Sequence, residues 1–68
     1  MDNIDIRKYI IDNFKDDDIK EIRLSIDKSI ESKEEETLIG LGVLFELLWN
    51  NSKEEDKLLI LDNIKKGI

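Results

Sequence analysis

The chain has no cysteine, no histidine, no proline and no alanine, and only three glycines and four aromatic residues. Each absence removes a class of chemistry. Without cysteine there are no disulfides, no thiol nucleophile and no thiolate metal site. Without histidine, imidazole acid–base catalysis and the usual zinc sites are excluded as well. Long apolar runs are also missing. The longest, Leu38 to Trp49, is twelve residues broken by Glu46, against the roughly 20 that a bilayer span needs. The N-terminus, Met1-Asp2-Asn3-Ile4-Asp5, is acidic where a secretory signal would be basic, and no apolar segment follows it. No targeting or membrane segment is expected.

What is present is charge and large aliphatics. Charged residues make up 41% of the 68, and apolar residues 40%, with twelve isoleucines and nine leucines. Seventeen acids against eleven bases leave a net charge of −6, which opposes approach to nucleic acid and to anionic lipid. The length allows one small domain, 1–68, near the lower limit for a self-sufficient core. No repeat or low-complexity linker divides it.

The aliphatics recur at helical spacing and give four segments. Ile6, Ile10 and Phe14 form the first stripe, with Asp2, Asn3 or Asp5 available as the cap. Ile19, Ile22, Ile26 and Ile30 form the second. Asp18 and Glu21 stand at capping-box spacing at its start. The stretch from Glu31 to Thr37 is a solvated connector, so the third helix begins between Lys33 and Leu38, capped by Ser32 with Glu35 or by Thr37. On that helix Leu38, Leu41, Phe45, Leu48 and Trp49 share one side while Val43, Leu44 and Leu47 lie opposite. A helix apolar nearly all round is expected to be central and buried. Gly40 and Gly42 are expected to admit a neighbouring backbone or to bend the helix entry. Ser52 and Glu55 fit a capping box for the fourth helix, whose stripe is Leu58, Leu61, Ile64 and Ile68, with Gly67 as its C-terminal cap. The expectation is an all-α fold, a small bundle of about four short helices with the apolar helix near 38–50 at its centre.

Candidate chemistry is sparse. Asp16-Asp17-Asp18 lacks the alternate spacing, glycine and distal glutamate of a calcium loop, and reads as a helix cap. Glu34-Glu35-Glu36 reads as a solvated charge run. Glu46, with Asn50 one turn on, marks a water-facing stripe; the alternative is a buried carboxylate with a raised pKa, or one that meets a basic group across an interface. Gly40-x-Gly42 has neither the third glycine nor the preceding strand of a dinucleotide site. No serine or threonine has an activating base. Neither a catalytic residue, nor a cofactor, metal or small-molecule site, is expected.

One segment carries a resemblance. The string Gly40-Leu41-Gly42-Val43-Leu44-Phe45-Glu46, followed by two aliphatics and Trp49 and preceded by Glu34-Glu35 and Leu38, resembles the signature of the small acid-soluble spore protein I family. Ile6-Arg7 near the start and the Lys-ended last helix are also similar. Two positions depart from the pattern: Ile39 where it has proline, and Lys33 where it has glycine. The resemblance implies a minor protein of the spore core, made in the forespore, with no enzymatic activity and without the DNA-coating role of the major spore proteins. It supplies no ligand residues to carry over. The remaining expectation is a contact surface on the third helix, formed by Gly40, Leu41, Gly42, Leu44, Phe45, Leu48 and Trp49. This surface is expected to meet a second copy of the chain or another protein, with no nucleic acid or membrane partner.

Overall fold

Asp5 opens the first helix, its side chain accepting from the Lys8 backbone N–H at 3.1 Å. The computed structural model describes residues 5–68, so Asp2 and Asn3, the other two candidate caps, lie outside the described residues. Four helices follow in order: α1 (Ile6–Phe14), α2 (Ile19–Ser32), α3 (Thr37–Asn50) and α4 (Glu54–Lys66). Among the described residues there is no strand. The fold is all-α, as the helical period of the aliphatics requires.

The start of α2 has the capping box at Asp18 and Glu21. The Asp18 carboxylate accepts from the Glu21 N–H, and the Glu21 carboxylate accepts from the Asp18 N–H, both at 2.9 Å. Two backbone donors that the helix geometry leaves free are satisfied reciprocally. At the other end of α2, Lys33 takes the left-handed conformation, with φ 55°. Glycine normally ends a helix this way because it has no Cβ to clash. This is the position where the family pattern has glycine. In this chain a lysine holds the left-handed turn.

Two expected caps are not formed. α3 begins at Thr37, inside the expected interval, but neither Thr37 nor the Ser32/Glu35 pair caps it, and Glu36, its first flanking residue, makes no side-chain cap. The Thr37 hydroxyl instead donates to the Glu34 carbonyl at 2.7 Å and the Ser29 carbonyl at 3.2 Å, tying the start of α3 to the end of α2. Ser52 likewise faces backwards. Its hydroxyl donates to the Leu48 carbonyl at 2.6 Å, and the Asn51 side-chain amide donates to the Leu47 carbonyl at 2.8 Å. Both residues close the C-terminus of α3, so the Ser52/Glu55 box is absent. The flanking residue of α4 is Lys53, whose backbone N–H donates to Asp56 at 3.4 Å. An ammonium has no lone pair to accept in return, so this cap is one-sided. Gly67 ends α4 as expected, in a right-handed conformation that any residue adopts.

α1 and α2 both pack on α3, which makes it the central element, while α4 packs only marginally on the rest. The expectation that α3 is buried on nearly all sides is overturned. Among the described residues Val43 alone is buried. Leu38, Ile39, Phe45, Leu47 and Leu48 are all exposed, Leu38 by 62%. Two short amphipathic helices have too little apolar surface to surround a third that is apolar on every side. No described helix is long and apolar enough to cross a membrane.

Candidate functional site

The residues singled out on the sequence converge on α3, and the packing of α1 and α2 divides them into two groups. A residue advances about 100° around a helix. Gly40, Val43 and Leu44 therefore fall on one side, with Thr37 and Leu41 at its edge. That side carries the buried Val43 and the half-buried Gly40, Leu41 and Leu44. Leu38, Gly42, Phe45 and Trp49, spaced by four, three and four, fall on a second side. Three of these are exposed and Trp49 is half-buried. Of the seven expected contact residues, Gly42, Phe45 and Trp49 lie on this exposed stripe. Leu41 and Leu48 flank it, and Gly40 and Leu44 lie across the helix from it. Leu38 extends the stripe by one turn.

The stripe has internal order. The Phe45 and Trp49 rings stack with centroids 5.8 Å apart, within the usual range for aromatic pairs. The Lys57 ammonium from α4 sits 5.1 Å from the Trp49 ring centroid, a cation–π placement. Phe45, Trp49 and Leu61 of α4, with Glu46 and Asn50, line an apolar groove between the two helices. The stripe is thus an aromatic ledge with a channel beside it.

Gly42 breaks the ledge. Among the described residues, a Cβ built on Gly42 would meet nothing within 4 Å, and the same is true at Gly40. Of the two roles expected of these glycines, the close approach of a neighbouring backbone is therefore not filled by the described residues. Each costs roughly 1 kcal/mol of helix stability relative to alanine, and no contact among the described residues requires either of them.

Glu46 bounds the stripe on its other flank. Its carboxylate accepts two hydrogen bonds from the Arg7 guanidinium, at 2.7 and 3.0 Å, across 39 residues of sequence. This is the side-by-side geometry in which Arg–carboxylate pairs are strongest. The bonds from Arg7 hold the Glu46 carboxyl below its ordinary pKa, and Glu46 raises that of Arg7. Glu46 faces water, as the sequence suggests, but it also clamps α1 to α3. Sequence reasoning marked Arg7 only for its place beside Ile6 and missed the pairing, because no spacing rule links residues 39 positions apart. No described group of three or more acidic residues is arranged to hold a metal ion.

Comparisons with known proteins bear on the whole chain rather than on these residues. A family model described as "Small, acid-soluble spore protein I" matches residues 4–68. Curated relatives of that name are similar over 66 residues. The protein of Halalkalibacterium halodurans is 36% identical, covering 97% of both chains. That of Bacillus licheniformis is 35% identical, covering 97% of this chain and 94% of its own. One from Bacillus cereus is 32% identical, covering 97% and 96%. No solved structure matches the chain. The match runs through the ledge, the Arg7–Glu46 clamp and the Lys33 turn alike, and on that extent the chain belongs to the small, acid-soluble spore protein I family.

Proposed function

We propose that this protein is a non-enzymatic component of the spore core, made in the forespore during sporulation. The observation that carries the proposal is the family match across residues 4–68, to relatives whose name places them in the spore. The composition supports the absence of catalysis. A chain without cysteine or histidine has only carboxylates, hydroxyls and amines to work with, and no hydroxyl has a base to activate it. The net charge of −6 supports a role apart from nucleic acid, since phosphate binding rests on accumulated lysine and arginine.

The test is fractionation. Antibody detection in a sporulating culture should place the protein in the forespore, and in the acid extract of spores stripped of their coats. Its recovery from vegetative cells, or only with the stripped coats, would overturn the assignment. A separate mobility assay with duplex DNA should show no salt-dependent shift at micromolar protein.

A further inference from the structure

The exposed stripe on α3 has a pattern that suits one particular partner. For a folded monomer of 8.0 kDa the relation between mass and accessible surface gives roughly 4,450 Å². The chain exposes 6271 Å², an excess of roughly 1,800 Å² on that relation. That excess belongs to the whole chain rather than to the α3 stripe alone, and it is larger than the roughly 800 Å² per partner of a standard protein interface.

We propose that α3 pairs with α3 of a second copy, antiparallel, about a two-fold axis between Gly42 and Phe45. In an antiparallel pair facing residues have a constant sum of numbers. With the axis there, Gly42 faces Phe45 of the other copy and Leu38 faces Trp49. Each Phe45 ring enters the hollow over the other chain's Gly42, edged by Ile6 and Arg7, where a Cβ would meet nothing within 4 Å among the described residues. Each Leu38, 62% exposed on its own, enters the groove lined by Phe45, Trp49 and Leu61. Large residues meet small ones or a channel at every step. The match follows from the stripe's own spacing, so a second copy supplies it without further adjustment. A two-fold interface must be self-complementary in this way.

Charge favours the same occupant. Two chains of net charge −6 repel unless they meet where charge is compensated. The one acid bordering the middle of the stripe, Glu46, is already paired with Arg7, and the cation at its end, Lys57, rests on Trp49. Glu34 and Glu35, which border the stripe's Leu38 end, face Lys53 and Ser52 of the other copy in this register.

The experiment uses the purified full-length chain, so its outcome is independent of the assignment to the spore. Sedimentation across a concentration series should show a reversible monomer–dimer equilibrium in the micromolar range. Phe45→Ala should weaken the association about 30-fold, the scale of a central aromatic anchor. Gly42→Ala separates assembly from folding. Its added methyl meets nothing among the described residues, so helicity should be kept or raised while association falls. The chain has no native cysteine, so orientation is read from introduced ones. Oxidising a mixture of Leu38→Cys and Trp49→Cys chains should yield mainly the mixed disulfide. Predominant Leu38→Cys self-linkage would replace the antiparallel pair with a parallel one and overturn the proposal. A wild-type chain that stays monomeric at several hundred micromolar, or a Gly42→Ala chain that associates as well as wild type, would also overturn it.

Discussion

The two sides of α3 are both apolar and meet opposite environments. One side carries Val43, the single buried hydrophobic residue among those described, with α1 and α2 packed over it. The other carries Leu38, Phe45 and Trp49 and meets mostly solvent. Apolar character alone does not distinguish them. What distinguishes them is the supply of partners: two short stripes, from α1 and α2, cover about half of a helix that is apolar all round. Apolar periodicity thus measures how much surface a helix has to bury, and the rest of the chain sets how much of it is buried.

The largest effect should come from setting one side against the other. In dilute solution Val43→Ala should lower unfolding stability by about 2 kcal/mol, from lost burial and the space left behind. Phe45→Ala, 40% exposed in wild type, should cost less than half as much under the same conditions. Chemical denaturation measures both, and equal losses would erase the distinction between the sides.

The helix starts give a second contrast. Asp18→Ala removes a reciprocal cap and should cost about 1 kcal/mol. Ser52→Ala should cost less, because the Ser52 hydroxyl bonds the Leu48 carbonyl at a helix end open to water. A Ser52 effect equal to that of Asp18 would restore a capping role at α4.

Lys33→Gly should stabilise the chain by about 0.5–1 kcal/mol, since glycine adopts the left-handed turn without a Cβ clash, partly offset by its freedom when unfolded. A raised melting midpoint with unchanged helicity is the expected reading. A loss would mean that the lysine side chain contributes something that its backbone conformation does not reveal.

The smallest effect is the pH dependence of the Arg7–Glu46 clamp. Glu46 has a depressed pKa in the folded chain. The stability it contributes is present above the unfolded glutamate value and is lost as pH falls through the folded one. The difference in melting midpoint between wild type and Glu46→Gln should be seen near neutrality and should close as the solution is acidified below the ordinary glutamate range. The pair is solvent-exposed, so high salt should shrink the difference as well. A gap that widens on acidification would contradict the clamp.

Most of the local structure was legible in the sequence because it depends on near neighbours. The four helices follow from isoleucine and leucine spacing, and the α2 start follows from Asp18 and Glu21, three residues apart. The likeness of 40–49 to the spore protein family was likewise carried by contiguous residues. Ser52 shows how local reasoning errs. Ser-x-x-Glu satisfies the pattern of a helix start, yet the hydroxyl found the free carbonyl of Leu48 one turn behind it. Both bonds are local, and the spacing alone does not rank them.

The sequence by itself determined the helical class, the approximate helix limits, the family and the chemistry that twenty-eight charges without histidine or cysteine exclude. Only the tertiary structure decided which side of α3 is covered, that Arg7 reaches Glu46 across 39 residues, and that the space around Gly42 is open. The physical reason is range. Helix formation and capping are settled within a turn or two, by bonds whose partners the spacing names. Burial and long-range pairing depend on how α1, α2 and α4 are placed around α3, and periodicity within one helix carries no information about where another will lie.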